Sequence, residues 1–169
     1  MKTVLIIAGY DPSGGAGVLA DIKAVAAFGC YGTAAVTSLT YQNTTGVFGA
    51  SHTPADALAA QLRPVVDDFE IAAVKTGMLP HEDAIAVAAD TIASLGKVPV
   101  VVDPVVRSTS GFDLISDEAL ATLVERLFPL AAVVTPNVVE AERIVGFPVR
   151  NAADMERSAR RLVERGAGA

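Results

Sequence analysis

The sequence predicts an α/β protein whose sheet is mostly parallel and has helices on both faces. Two observations support this fold class. Short apolar runs alternate with helical patterns along the 169 residues, as in chains that return to one sheet through helices. Glycine and polar residues also follow the apolar runs, at the edge where an open parallel sheet binds its ligands. The length fits a single domain over residues 1–169 with a substantial core.

Five apolar runs, each bounded by polar or breaking residues, are predicted as the central strands. They are Val4–Ala8, Ala34–Leu39, Ile71–Val74, Val98–Val102 and Ala131–Val134. A further run, Gly46–His52, is less apolar and is bounded by glycine. Its composition favours an outlying or edge strand.

Helical periodicity fills the intervals between these runs. The predicted helices are Gly17–Phe28, Ala55–Phe69, Glu82–Leu95, Asp117–Leu127, a short one within Pro136–Gly146, and Ala152–Glu164. Ser116 precedes two acidic residues, which predicts an N-terminal cap. Residues 165–169 resemble a turn that leads into another strand. We therefore expect further chain downstream.

Composition restricts the class of partner. The formal net charge is −6 and no Lys/Arg cluster is present, which argues against binding to nucleic acid or an anionic membrane. A single cysteine, Cys30, fits a reducing compartment. The sequence shows neither a secretion-signal layout nor a long apolar run. The predicted location is cytoplasmic and the predicted ligand is a small molecule.

The first strand runs directly into a glycine-rich turn, Gly9–Gly17, which contains Asp11 and Ser13. Glycines let the backbone approach a ligand closely, and the following helix points amide groups into the same space. A dinucleotide site is not predicted, because the second strand ends in Tyr41-Gln42-Asn43 instead of an acidic residue. A Walker loop is excluded because no Gly-Lys-Ser/Thr follows. A purely structural turn remains an alternative.

Carboxylates at the predicted rim suggest a metal site. Asp103 follows the fourth central strand, and Glu140 lies one turn into a neighbouring helix. The pair could hold Mg²⁺ directly or through water, because that ion prefers oxygen ligands. The open alternatives are that Asp103 caps its Asp-Pro turn, that Glu140 is solvated, and that Asn137 only caps the helix.

Other polar residues at the rim have two interpretations each. The Gln42 and Asn43 amides suit a pyrimidine or pyridine edge, but could also satisfy strand-end backbone groups. Met78 could cover a flat ring or belong to the core. Asp21 could face the rim or solvent.

Two histidines and a loop complete the candidates. His52 and His81 have no partner at metal-ligand or triad spacing and are predicted at the surface. Arg107 lies in the loop 105–111, where it could reach a phosphate or be solvated. The Ser, Thr and Gly content of that loop suggests a mobile lid.

Taken together, these motifs resemble the hydroxymethylpyrimidine/phosphomethylpyrimidine kinases of thiamine biosynthesis, which have the ribokinase-like fold. The resemblance depends on their order and spacing over nearly the whole chain. The matching segments are Ala8–Gly17 with Asp21, Gln42-Asn43-Thr44, Lys75–Leu79, Val101–Val105, and Thr135–Asn137 with Glu140-Ala141.

This resemblance implies ATP- and Mg²⁺-dependent phosphorylation of 4-amino-5-hydroxymethyl-2-methylpyrimidine and then of its monophosphate. By analogy, Asp21, Gln42, Met78 and Val105 contact the pyrimidine, and the glycine-rich turn with Gly9 and Asp11 shapes its pocket. The resemblance also assigns Asp103 and Glu140 to Mg²⁺ and Asn137 and Glu140 to the nucleotide phosphates. Phosphoryl transfer depends on positioning and charge stabilisation, so such a set needs no covalent nucleophile. Family members are commonly homodimers.

The chain departs from the family in two places. Tyr10 stands where Ser or Thr is usual. The family's C-terminal part, with its glycine-rich anion hole and catalytic cysteine or aspartate, is not found before Ala169. We therefore expect a partial ribokinase-like domain that binds substrate and turns over poorly or not at all. The alternatives are a pyridoxal kinase of the same fold and a non-catalytic pyrimidine-binding module.

Overall fold

The computed structural model describes residues 1–106 and 113–169. Its centre is a six-stranded sheet in the order β3-β2-β1-β4-β5-β6. The strands are β1 (Thr3–Tyr10), β2 (Tyr31–Asn43), β3 (Gly46–His52), β4 (Ile71–Thr76), β5 (Val100–Val102) and β6 (Val133–Val134). The helices are α1 (Gly17–Ala27), α2 (Ala55–Asp68), α3 (Glu82–Ser94), α4 (Asp117–Leu127), α5 (Val138–Val145) and α6 (Ala152–Glu164), with a 3₁₀ turn at Phe128–Leu130.

Every strand pair is parallel except β2 with β3. From β1 the chain passes through α1 to β2 on one side, and later returns through α2 to β4 on the other side. The strand order therefore reverses between β1 and β4. In open α/β sheets, the crevice at the carboxyl ends of such strands is the usual ligand site.

The side chains of β1 alternate between two apolar layers. Leu5 and Ile7 are fully buried in the larger core with the apolar faces of α2, α3 and α4. Ile6 and Ala8 point the other way and pack with Val18 of α1. Because both faces of β1 are covered, the strand is a continuous apolar run instead of an alternating one. The prediction of helices on both faces is confirmed.

The predicted elements are all present, but some bounds differ. β2 is much longer than the predicted Ala34–Leu39, because its extra residues pair with β3 in a projecting hairpin. β5 and β6 are shorter than predicted. Ser116 caps α4 by accepting a hydrogen bond from the Ala119 amide at 3.1 Å, as predicted.

The last residues lie beside β6. The Gly168 amide donates to the Ala131 carbonyl at 3.0 Å, and the Val134 amide donates to the Ala169 carbonyl at 2.9 Å. These bonds agree with the prediction that the segment after α6 turns toward the sheet. Among the described residues, no helix combines the length and apolarity needed to cross a membrane.

Candidate functional site

A cleft of about 950 Å³ opens at the carboxyl ends of the strands, where the strand order reverses. It brings together most of the residues that the sequence singled out. Those lining it include Gly9, Asp11, Gln42, Met78, Asp103, Val105, Asn137 and Glu140. The hairpin between β2 and β3 contributes residues 43–47 to its wall. The predicted convergence at one edge of the sheet is confirmed.

Asp11 organises the glycine-rich turn. Its carboxylate accepts hydrogen bonds from the Ser13 amide at 2.8 Å, the Ser13 hydroxyl at 2.9 Å, the Gly15 amide at 3.1 Å and the Ala16 amide at 2.9 Å. Burial raises the pKa of this carboxyl, but the four hydrogen bonds outweigh burial and lower the pKa overall. The side chain therefore acts first on the turn, and its contribution to a pyrimidine pocket stays a prediction.

Gly17 explains why the turn must be rich in glycine. Its φ is +56°, and a Cβ there would lie 2.2 Å from the Gly9 carbonyl oxygen. Only glycine accommodates both the left-handed backbone and the close approach. The start of α1 is thereby held against the end of β1, which is one wall of the cleft.

Gln42 presents one end of its amide to the cleft. The Thr40 hydroxyl lies 2.9 Å from the Tyr10 carbonyl oxygen and 3.0 Å from Gln42 Oε1. Thr40 therefore fixes one end of the Gln42 amide, while the other has no partner among the described residues. The oxygen of Asn43 is engaged as well, because its Oδ1 accepts from the Thr45 amide at 2.8 Å and the Thr45 hydroxyl at 2.6 Å. Both amides line the cleft, and the nitrogen of each has no partner among the described residues; Gln42 is half-buried, whereas Asn43 is exposed.

Met78 covers the floor of the cleft. It is only 6% exposed, and a Cβ on Gly9 would lie 3.2 Å from its sulfur. Its backbone carbonyl accepts a 2.6 Å hydrogen bond from the Thr37 hydroxyl, which fixes the strand end. Met78 is thus both a core residue and a surface on which a flat ring can lie.

Lys75 joins two carboxylates, a contact that the sequence analysis missed. Its Nζ lies 2.8 Å from Asp21 Oδ2 and 3.4 Å from Asp103 Oδ2. Burial raises the pKa of Asp103, and the positive charge of Lys75 counteracts part of that rise. Lys75 and Asp103 line the cleft, whereas Asp21 is not among its lining residues. A contact between Asp21 and the pyrimidine therefore stays a prediction, with Lys75 standing beside it.

Asn137 and Glu140 form a capping box at the start of α5. Asn137 Oδ1 accepts from the Glu140 amide at 3.0 Å, and Glu140 Oε2 accepts from the Asn137 amide at 2.8 Å. Glu140 Oε1 also accepts from the Val106 amide at 3.4 Å. Burial raises the pKa of Glu140, opposed by these backbone hydrogen bonds. Asn137 therefore caps the helix and also lines the cleft, and the alternative that Glu140 is solvated is wrong, because its side chain is buried.

Comparison with known proteins decides the family. A family model described as phosphomethylpyrimidine kinase matches residues 11–169. The chain belongs to the phosphomethylpyrimidine kinase family. A hydroxymethylpyrimidine/phosphomethylpyrimidine kinase of Haemophilus influenzae is 40% identical over 167 residues, which cover 99% of this chain and 62% of that protein.

Solved structures agree with this family. The phosphomethylpyrimidine kinase of Clostridium difficile 630 superimposes with a TM-score of 0.90 at 38% identity, covering 99% of this chain and 72% of that one. The pyridoxal kinase of Staphylococcus aureus in complex with AMP-PCP gives 0.88 at 31% identity, covering 99% and 60%. The ribokinase-like fold is confirmed. The chain spans about three fifths of the Haemophilus relative's length.

Of the two carboxylates predicted to bind a metal, Asp103 is free for a direct contact and Glu140 is not. Both Glu140 oxygens accept backbone hydrogen bonds, whereas Asp103 Oδ1 has no partner in the described part of the chain. Residues 1–106 and 113–169 contain no group of three or more His, Cys, Asp or Glu side chains placed to hold a metal. Mg²⁺ commonly uses one or two carboxylates together with substrate phosphates and water. The donor set suits that arrangement.

The remaining sequence candidates lie away from the cleft or outside the described residues. His52 and His81 are at the surface, as predicted, but their rings contact each other edge to face at 4.7 Å between centroids. His52 Nδ1 also lies 2.9 Å from the Ser38 hydroxyl. The spacing gave no sign of these contacts, which form because the fold brings together residues distant in sequence. Arg107 and most of the predicted lid fall in residues 107–112, outside those the structure describes.

Proposed function

We propose that this chain supplies the pyrimidine pocket of an ATP- and Mg²⁺-dependent phosphotransferase of thiamine biosynthesis. Its substrates are 4-amino-5-hydroxymethyl-2-methylpyrimidine and the corresponding monophosphate. The observation that carries this proposal is one cleft lined by Gln42 and Met78, from β2 and the end of β4, and by Asp103 and Asn137, which follow β5 and β6 farther along the sheet. A polar ring and a metal-bound phosphate group can therefore be held side by side.

The residues at the ring end provide shape and direction. Met78 supplies an apolar floor, and the backbone of Gly9 and Val105 bounds the cleft. Gln42 offers a hydrogen-bonding group whose other end is fixed by Thr40. A heterocycle with ring nitrogens and an exocyclic amino group matches such a pocket.

The residues at the other end handle charge. Asp103 holds Mg²⁺ directly in this proposal, and Glu140 contributes through water while it caps α5. The ion, when bound, neutralises phosphate charge. The amino end of α5, beside Asn137, favours a phosphate oxygen because its amide groups and dipole are positive there. Positioning and charge neutralisation are the principal requirements of phosphoryl transfer.

Binding by isothermal titration calorimetry tests the ligand class. We expect 4-amino-5-hydroxymethyl-2-methylpyrimidine to bind more tightly than pyridoxal. Pyridoxal is the second candidate because a pyridoxal kinase shares this fold at 31% identity. If pyridoxal binds more tightly, pyridoxal becomes the proposed substrate. If neither compound binds, the proposed function is wrong.

Two neighbouring amides supply a matched pair of variants. Gln42→Leu should weaken pyrimidine binding by about tenfold, since it removes a hydrogen-bonding group that faces the cleft. Asn43→Ala should change affinity by less than about threefold, because the Asn43 side chain is exposed, in contrast to the half-buried Gln42, and its oxygen is bonded to Thr45. Equal losses would mean that the hairpin, and not the Gln42 amide, recognises the ligand.

Catalysis separates a kinase from a non-catalytic binding module. Formation of ADP from ATP with Mg²⁺ and the pyrimidine should be measured in a protein of the relatives' full length that contains this chain. Pyrimidine-dependent ADP formation supports the kinase. Binding without ADP formation in that protein supports the module.

We also propose a homodimer that uses the edge of the sheet at β3. Among the described residues of the hairpin, Leu39 is 52% exposed, Tyr41 57% and Phe48 70%. Exposed apolar side chains on an edge strand and on the strand beside it favour association with another chain. Sedimentation velocity on the purified protein tests this proposal.

A further inference from the structure

The hydrogen-bonding capacity of Lys75 is not fully used by its known partners. A lysine ammonium carries three N–H donors and accepts nothing. One donor of Lys75 is hydrogen-bonded to Asp21 Oδ2 at 2.8 Å, and the ammonium forms a longer ion pair with Asp103 Oδ2 at 3.4 Å. No other partner lies within hydrogen-bonding distance in the described part of the chain. At least one donor therefore remains for a group that enters the cleft.

The surroundings hold the ammonium in place. The side chain is 22% exposed, and so is that of Asp21 behind it. A Cβ on Gly77 would lie 3.1 Å from Lys75 Nζ, so the missing side chain at position 77 leaves the space that the amine occupies. A long lysine side chain normally loses much rotamer freedom when it is fixed. Here the protein has already fixed it before any ligand arrives.

Lys75 also stands at the junction between the two ends of the cleft. It extends from β4, between the end of β1 that carries Gly9 and the end of β5 that carries Asp103. Of the described residues that line the cleft, it is the one Lys or Arg. A substrate whose ring lies against Met78 and whose reacting group points toward Asp103 must carry its linking atoms past this ammonium.

We propose that Lys75 donates its third hydrogen to the oxygen on the hydroxymethyl carbon of the pyrimidine substrate. This inference rests on the proposed function and assigns a residue to the reacting end of the substrate. The same oxygen is a hydroxyl in the first substrate and a phosphate ester in the second, and both have a lone pair to accept the hydrogen. Asp21 acts through Lys75, as a positioning residue that orients the ammonium.

A variant is needed that separates contact between Lys75 and the ligand from a purely structural role of Lys75. Lys75→Met alone would leave Asp21 and Asp103 facing each other without a cation, which destabilises the site whatever the ligand contact. The double variant Asp21→Asn with Lys75→Met removes one negative and one positive charge together. Its thermal stability should be measured first and should exceed that of Lys75→Met alone.

The test compares two ligands that differ in one oxygen. Calorimetry measures 4-amino-5-hydroxymethyl-2-methylpyrimidine against 4-amino-2,5-dimethylpyrimidine, which lacks the hydroxyl. The wild type should prefer the hydroxymethyl compound by about tenfold, the effect of one hydrogen bond from a charged donor. The double variant should bind the two compounds within about threefold of each other, whatever its affinity for the ring that they share.

The outcomes distinguish this inference from the proposed function. If the wild type binds neither compound, the proposed function fails. If the wild type binds both with equal affinity, or if the double variant keeps the tenfold preference, Lys75 does not contact the oxygen and the inference is overturned. Lys97→Met is the matched control, because Lys97 is exposed on the loop between α3 and β5 and should leave both affinities unchanged.

Discussion

At the scale of single residues, Asp11 shows how a short side chain fixes a whole turn. Four donors converge on its carboxylate from Ser13, Gly15 and Ala16, and the residue is 4% exposed. The backbone amides of this turn would otherwise have to find water in a confined space. The charge of Asp11 therefore stabilises the loop that carries Gly17 against β1.

Asp11→Asn should lower the free energy of unfolding by about 2 kcal/mol at pH 7, since it replaces an ionised acceptor of several hydrogen bonds. Ser13→Ala, which removes one of the four bonds, should cost about 1 kcal/mol. The folded-state pKa of Asp11 is lowered, so its contribution is present above the unfolded pKa and is lost as the pH falls through the folded pKa. Urea denaturation should show the difference between wild type and Asp11→Asn shrinking below about pH 4. A difference that is constant with pH contradicts this explanation.

His52 should make stability depend on pH near neutrality. Burial of the ring and the positive charge of His81 both lower the pKa of His52. The unfolded chain therefore binds a proton on His52 more readily than the folded protein does, and stability falls as the pH drops below about 6.5. His52→Gln should reduce the fall in melting temperature between about pH 7.5 and 5.5. If NMR shows that the His52 imidazole titrates above pH 6.5 in the folded protein, this prediction is wrong.

At the scale of elements, the junction between β1 and α1 depends on one glycine. Gly17 has φ +56° and no room for a Cβ, whereas Gly29 has φ +71° with nothing within 4 Å of a Cβ. The two positions therefore share the backbone strain and differ in the clash. Gly29→Ala should cost about 1 kcal/mol, and Gly17→Ala about 3 kcal/mol or more, with loss of pyrimidine binding. Equal costs by urea denaturation would show that the turn relaxes around the added methyl group.

The elements themselves were accessible from sequence because their signals are local. The buried strand β1 is a continuous apolar run, and Ser116 caps α4 within three residues of its partner. The length of β2 was not accessible, because residues such as Tyr41 and Gln42 become strand only by pairing with β3. Tertiary pairing overrides weak local preference in such segments.

The candidate site was accessible only in part. Residues at strand ends were located correctly, because parallel strands deliver their carboxyl ends to one edge. The contact between Lys75 and Asp21 joins residues 54 positions apart, and that between His52 and His81 joins two different elements. No spacing rule finds such pairs. Their geometry depends on how strands and helices pack.

At the scale of the whole molecule, the two edges of the sheet differ. β3 extends over seven residues and carries the exposed Phe48, with exposed Leu39 and Tyr41 on the neighbouring β2, whereas β6 is two residues long and is bordered by residues 167–169. A long apolar edge favours pairing with another chain. The proposed homodimer therefore belongs at β3.

Phe48→Glu should weaken self-association by at least about tenfold, because it places a charge on that edge. Phe28→Glu is the control, since Phe28 is 87% exposed at the end of α1, against 70% for Phe48. Sedimentation velocity should show dimer for the control and monomer for Phe48→Glu at the same concentration. If the wild-type protein sediments as a monomer, the proposed homodimer is wrong. If both variants weaken self-association equally, the interface is not specific to the β3 edge.

The crowding around position 77 has a consequence for how this sequence can change over time. A Cβ there would lie 3.0 Å from the Ala8 side chain as well as 3.1 Å from the Lys75 amine. Replacing the lysine with a shorter residue would relieve one of these contacts and leave the other. Positions 8, 75 and 77 are therefore coupled through packing, and a methyl group at position 77 fits only if the lysine amine and the Ala8 methyl both shift by a few tenths of an ångström.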